Sequence, residues 1–284
     1  IEIYVDEIGA AFVALDGSVV ASARIARPRA RVAAVETGAD VAELVGRLDA
    51  ELRDASTPGT RRRLVGCGVS VPGLVRELDG VVVAAPNLGW IDVALADSIV
   101  SALRLRVPVT VGNDADLGAL AESRFGAGIG SDHMIFVSGE VGVGGGLVAG
   151  GRPVVGHLGF AGEIGHHPVN PDGRRCPCGS IGCWETEVGE AALLERAGLD
   201  PDGGRAAVAD LLDRAAAGEK RAMDALAVEA RWLAFGIAGL VNVLDPDPVV
   251  LGGLFARVLP GVRSRLVAEL ADGRYVAARR EVAV

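Results

Sequence analysis

"IFVSGEVGVGGGLVAGGRPVV", residues 135–155, repeats in order what "IYVDEIGAAFVALDGSVV" sets out at 3–20. Each reads as an apolar strand, a turn with an acid, a second strand, a tight turn and a third strand; in the first copy the first turn holds the acid and Gly9. The tight turn is "DG" in one copy and "GG" in the other, dipeptides that tolerate the positive φ of two-residue hairpin connections. Any two hairpins share part of this pattern. A hairpin unit that recurs with α/β segments behind each copy reads as two related lobes facing each other.

Working outward, apolar runs rich in β-branched residues lie at 1–5, 10–15, 64–71, 109–111, 134–138, 144–149 and 248–251. Helical periodicity fills 39–53, 92–103, 115–124 and 219–244 between them. Alternation of this kind predicts a mainly parallel sheet with hairpins at its edges. The long helix stops at "DPDP" (245–248), where two prolines forbid continuation, and "VVLGG" then reads as a buried strand entering a glycine turn. A length of 284 residues fits two domains. The expected division is an N-terminal α/β lobe over 1–112 and a C-terminal α/β lobe over 113–284, with a hinge near 110–114.

Half of the residues are hydrophobic, only 4% are aromatic and 40 are glycine, so the core must be built from Val, Leu, Ile and Ala between tight turns. A net charge of −9 leaves no basic footprint for a phosphate backbone, which excludes nucleic-acid binding by this chain alone. The longest apolar stretch, Trp232 to Leu244, contains Asn242 and is too short to cross a bilayer; a buried helix is expected there. The chain opens directly on strand pattern without a Met or a signal-peptide layout, so a further segment is expected before Ile1.

Residues 165–185, "GHHPVNPDGRRCPCGSIGCWE", hold three of the four cysteines and two of the four histidines. Cys176, Cys178 and Cys183 give the spacing C-x-C-x4-C, and turn residues between them allow three thiolates and an imidazole to close a tetrahedral shell around structural zinc. Disulfide pairing would leave one cysteine odd, and Cys176 and Cys178 are too close for an easy bridge. Spacing alone leaves both His166 and His167 open as the fourth ligand. Cys67 lies on strand pattern and reads as a small buried hydrophobe. Metal-held thiols without a secretory signal point to the cytoplasm.

The run "GFAGEIGHHPVNPDGRRCPCGSIGCWE" (159–185) resembles the signature of the ROK family. That family unites bacterial sugar kinases with sugar-responsive transcriptional repressors on a two-lobed actin/hexokinase-like, ribonuclease H-like fold. Its G-E-I-G-H followed by C-x-C-G-x-x-G-C-x-E is matched at Glu163, His166, Cys176, Cys178, Cys183 and Glu185. "GVSVPGLV" (68–75), "APNLGW" (85–90), "NDAD" (113–116) and "DPDPVVLGG" (245–253) resemble further family segments in the same order.

The resemblance implies zinc on His166, Cys176, Cys178 and Cys183. It also implies a sugar in the interlobe cleft, gripped by Asn113, Asp114, Glu163, His166 and Glu185, with Gly73 and Asn87 as first-lobe candidates. Carboxylates, amides and an imidazole suit sugar hydroxyls, because directed hydrogen bonds discriminate epimers. A metal that fixes the loop would preorganise one wall of that site.

Asp114 falls where the family's kinases keep a general base. Phosphoryl transfer also needs a grip on the nucleotide phosphates. Against the kinase pattern D-x-G-G-T-K, "DEIGAA" (Asp6 to Ala11) carries Ile8, Ala10 and Ala11. Against G-T-G-x-G-G-G, "EVGVGGG" (Glu140 to Gly146) carries Glu140 and Val141, and a carboxylate there repels a triphosphate. Gly142, Gly144, Gly145, Gly146, Gly252 and Gly253 remain, but glycines also serve plain hairpin geometry.

Sugar residues kept and nucleotide residues lost resembles the repressor branch. It implies a non-catalytic, effector-binding and oligomerising region, a homodimer or tetramer, that reaches DNA only through an N-terminal domain absent from this sequence; ATP and Mg²⁺ are not expected. The closing "RYVAARREVAV" (274–284) lacks the Gly/Ala-rich last helix of the family, so a cut C-terminus is also expected. The alternatives are a glucokinase-like ATP-dependent sugar kinase using Asp114 and a sugar-binding scaffold that does neither.

Overall fold

Each repeated segment folds as a three-stranded antiparallel meander whose first strand takes a parallel partner on its other side. The structure, a computed structural model, describes residues 1–29, 32–55, 62–272 and 283–284. Two compact units emerge: Ile1–Asp114 with Leu158–Phe160, and Ala115–His157 with Ala161–Val284.

In the first unit the meander is β1 (Glu2–Ile3), β2 (Glu7–Val13) and β3 (Val19–Ala26), followed by α1 (Ala34–Asp54) and β4 (Cys67–Val71). A small antiparallel sheet follows, β5 (Leu74–Arg76), β6 (Val81–Ala85) and β7 (Trp90–Ala94), then α2 (Leu95–Leu103) and β8 (Val109–Asn113). The main sheet runs β3-β2-β1-β4-β8, with β4 parallel to both β1 and β8. Val41, Leu44 and Leu48 make the buried stripe of α1 at spacings of three and four.

Helix α3 (Asp114–Phe125) leads from the last residue of the first unit into the second. There β9 (Met134–Gly139), β10 (Val143–Ala149) and β11 (Arg152–Pro153) form the meander. The helices α4 (Trp184–Val188), α5 (Glu190–Ala197), α6 (Gly204–Ala216) and α7 (Lys220–Leu244) come next, then β12 (Val249–Gly253) and α8 (Leu254–Ala271). The order β11-β10-β9-β12 repeats β3-β2-β1-β4 of the first unit strand for strand. Gly150 and Gly151 both have positive φ at the β10–β11 turn, as the "GG" pair predicts.

Several expectations are corrected. Gly9 is not in a turn but inside β2, opposite Glu2; the chain reverses over Tyr4–Asp6, and a Cβ at Gly9 would come within 2.9 Å of Glu2 Oε2. Residues 92–94 belong to strand β7, paired with β6, so α2 begins at Leu95. Cys67 is half-buried on β4, not fully buried. Of the closing segment, 274–282 lies outside the described residues.

Helix α7 starts twelve residues before Trp232. Among the described residues it is long and apolar enough by length and composition to cross a membrane, with half of the apolar window buried. It packs against α4, α5, α6 and α8 and carries the fully buried Glu229, the pattern of a helix at the centre of a core. Trp184 of α4 is fully buried against it and donates Nε1–H to Trp232 O at 2.9 Å.

A Cβ at Gly236 would lie 2.1 Å from Trp184 Cε2. Helix propensity alone would make Gly236→Ala a gain of about 1 kcal/mol. Overpacking against the indole reverses that sign, and a loss of about 2 kcal/mol is expected from urea unfolding; an unchanged or raised midpoint refutes this packing.

Candidate functional site

The site is built on β10, whose consecutive glycines leave no room for side chains. A Cβ at Gly145 would lie 2.1 Å from Ile164 Cδ1, and Cβ atoms at Gly144 and Gly146 would lie 2.9 and 2.5 Å from those of Ala115 and Ala119 on α3. Gly165 completes the approach, since its Cβ would lie 1.9 Å from Val143 O. The single 3-10 turn Ile164–His166 is thereby seated directly on β10, which fixes the backbone of His166.

Beyond that turn the chain loops out and returns through bridges Pro168↔Cys183 and Arg175↔Ile181 before α4 begins. At Gly182, φ is +70° and a Cβ would lie 1.6 Å from Asn170 O, so the two sides of the loop cross nearly in contact.

The crossing gathers four donors. A ring nitrogen of His166 and the sulfurs of Cys176, Cys178 and Cys183 all lie within 4.8 Å of one another. Cys176 Sγ is 3.7 Å from His166 Nδ1, and Cys178 Sγ is 3.6 Å from Cys183 Sγ. Metal–sulfur bonds of about 2.3 Å in a tetrahedron put sulfurs roughly 3.7 Å apart, whereas a disulfide needs about 2.05 Å. The set therefore fits a tetrahedral soft cation, and the cysteines are free thiols.

His167 is not among the clustered donors; its ring turns toward α7, where Nε2 lies 4.0 Å from the place of a Cβ on Gly239, while its carbonyl accepts from Trp184 N at 2.8 Å. Burial raises the Cys176 and Cys183 thiols. Cys178 also loses some solvent, but the Ser180 N–H and the neighbouring sulfurs outweigh that and bring it down to about 7.

Glu185, on the first turn of α4, joins this cluster to β10. Its Oε2 accepts from Val143 N at 2.9 Å and its Oε1 lies 3.7 Å from Cys176 Sγ. Glu163 stands 3.9 Å from His166 Nε2. Burial, reinforced by the Glu185 charge, holds the Glu163 carboxyl above the usual carboxylate range against the pull of His166. In the first unit, Asn113 at the end of β8 donates Nδ2–H to Gly73 O at 2.9 Å. Gly73 has φ +109° and no space for a Cβ, which would be 2.4 Å from Ala84 O. Asp114 is the first residue of α3, and Asn87 sits in an exposed turn.

Sequence reasoning missed the polar brace behind the loop. Asn170 donates Nδ2–H to Glu187 Oε1 at 2.7 Å, and Arg196 pairs with Glu187 at 3.1 Å and with Glu229 at 3.5 Å. Complete burial, with Glu187 adding, pushes the Glu229 carboxyl well up despite Arg196. The available signal was a carboxylate, Glu229, set between Val228 and Ala230 on α7. The two segments compared with phosphate loops are also different in kind. Ile8 and Ala10 are buried within β2, and Asp6 accepts from Arg29 Nε and Nη2 at 3.1 and 3.0 Å. Glu140, between β9 and β10, faces Arg205 and Arg257.

Two α/β units with matching meanders and a His/Cys3 loop against a glycine strand define a protein of the actin/hexokinase-like class. Residues 1–275 match the ROK family, and the chain belongs to that family. It is 32% identical over 212 residues to the xylose repressor of Bacillus subtilis (strain 168), covering 75% of this chain and 54% of that protein. It is 37% identical over 204 residues to the glucokinase of Halalkalibacterium halodurans, covering 67% and 61%. The structure of the ROK family glucokinase from Streptomyces griseus, in complex with glucose and AMPPNP, superposes with a TM-score of 0.80 at 28% identity, covering 99% of this chain and 91% of that one. The chain thus spans between about half and three fifths of these two curated relatives, one a regulator and the other a kinase.

Glu185→Ala removes the acceptor of the Val143 N–H, within a buried residue, and is expected to cost about 1–3 kcal/mol. Glu185→Gln keeps an acceptor and should retain most of that stability. Equal urea midpoints for the two variants would show that the bond carries no weight.

Proposed function

We propose that this chain is the sugar-effector-binding and oligomerising region of a ROK transcriptional regulator, without kinase activity. Glu163, His166 and Glu185 in one unit, and Asn113, Asp114 and Gly73 in the other, supply the hydroxyl partners, with Asn87 a peripheral candidate. Zinc is the ion we assign to His166, Cys176, Cys178 and Cys183. It would hold the loop that carries His166 and Glu185 and take no part in chemistry, since four protein donors complete its shell.

The observation that carries the non-catalytic reading is Glu140. In the turn before the glycine strand a carboxylate, not a glycine, faces the two local arginines, and Ile8 to Ala11 offer strand side chains in place of a hydroxyl and a lysine. With a net charge of −9, this region is given the effector and oligomer role and not the operator contact. An effector acts by binding one arrangement of the protein better than another. The glucokinase relative, together with Asp114 at the start of α3, keeps a second reading in play: a sugar kinase with Asp114 as general base.

A thermal-shift panel of pentoses, hexoses and amino sugars, run with and without Mg-ATP, separates the two. The expected result is stabilisation by one sugar class, indifference to ATP and no sugar phosphate formed. ATP-dependent phosphorylation abolished by Asp114→Asn would establish the kinase instead. Elemental analysis should find close to one zinc per chain, and a chelator should lower both the melting temperature and the sugar-induced shift.

A further inference from the structure

Arg196, on α5, stands between two acids. Its Nη2 pairs with Glu187 Oε2 at 3.1 Å and its Nη1 donates to the Glu187 carbonyl, while the other carboxylate oxygen, Glu187 Oε1, accepts from Asn170 Nδ2 at 2.7 Å. Glu187 is therefore served on both oxygens and holds the arginine. Glu229 receives less: its Oε2 lies 3.5 Å from Arg196 Nη1, and its Oε1 is buried without a hydrogen bond.

The guanidinium charge is thus matched by Glu187, and Glu229 sits fully excluded from water on the central helix α7. A second ionised carboxylate there costs far more than a protonated one. The neighbouring elements bring no relief. The charges that act on Glu229 are Arg196 of α5 and Glu187 of α4. Helices α6 and α8 bring apolar side chains to the core around α7, among them Leu211 and Val262. Glu190 is buried as well, but in the first turn of α5, where the helix dipole favours its charge.

We propose that Glu229 is a proton-binding site of the core: the chain folds around its uncharged carboxyl, and loss of that proton to solvent draws Arg196 from Glu187 to Glu229 and frees the Asn170 side of the loop. The two acids stand at 3.1 and 3.5 Å from the same guanidinium, so a small turn of Arg196 exchanges one partner for the other. The loop that carries the His/Cys cluster thereby becomes sensitive to alkaline pH. The inference depends on neither sugar binding nor the identity of a metal.

The sign of the effect follows from linkage. The unfolded chain ionises Glu229 in the ordinary carboxylate range, whereas burial holds it protonated well above that range in the folded chain. Between the two ionisations the unfolded state binds fewer protons, so stability falls as pH rises.

The test follows urea unfolding of wild type, Glu229→Gln and Glu229→Met from about pH 5 to about pH 9, with hydrogen exchange over residues 166–185 measured at each pH. Relative to either variant, the wild-type unfolding constant should rise about tenfold per pH unit through the window between the two ionisations. Exchange protection over 166–185 should match that of the variants at the acidic end and drop below theirs as pH rises. Glu229→Met is uncharged and unbranched, and it preserves the comparison if the Gln variant does not fold. A constant ratio of wild-type to variant unfolding constants across the whole range overturns the proton site. A ratio that changes while loop protection stays equal overturns its link to the loop.

Discussion

Strand β10 has to be bare at Gly144, Gly145 and Gly146. Its alternate faces are pressed by α3 on one side and by Ile164 on the other, at distances where even a methyl group overlaps its neighbour. Close approach of this kind removes the usual layer of side chains between elements, so backbone groups meet polar side chains directly. That is how Glu185 reaches the Val143 N–H, and how the turn bearing His166 comes to rest on a strand. The triple glycine that resembles a phosphate loop in sequence has a sufficient reason in this packing.

The opposite side of the loop is secured by charge. Asn170, Glu187, Arg196 and Glu229 link the loop to the central helix through buried or half-buried groups. Desolvating such groups is expensive, and replacing an ion pair with apolar side chains is often neutral or favourable. What the polar set provides is a single alignment. An apolar contact would let the loop slide along α7, whereas the carboxylate–guanidinium pairs fix one register.

The parts legible in the sequence were those with local causes. Alternation and the "DG" and "GG" turns marked both meanders, and C-x-C-x4-C marked the donor cluster, because strand pairing across a hairpin and the gathering of donors within one loop both act over few residues. The choice of His166 over His167 was invisible to spacing; it follows from the directions of the two rings, one toward the cysteines and the other toward Gly239 of α7. The β5–β7 sheet escaped because a short apolar run such as "VVVAA" fits helix or strand equally well. Gly9 was misplaced because a glycine read as a turn signal serves here as clearance for Glu2. The meeting of Arg205, Arg257 and Glu140 joins elements more than fifty residues apart, and no local pattern encodes it.

The aromatic residues of this aromatic-poor chain are distributed so that light can report on its parts. Of three tryptophans, Trp90 belongs to the first unit, where its indole N–H is held by Val32 O. Trp184 follows Cys183 directly and is bonded to the Trp232 carbonyl, and Trp232 in turn meets Phe235 edge-on at 5.8 Å. An indole on the residue next to a thiol of the His/Cys cluster shares the order of that cysteine's backbone. Intrinsic emission therefore carries a built-in gauge of the cysteine loop, read against a separate indole in the other unit.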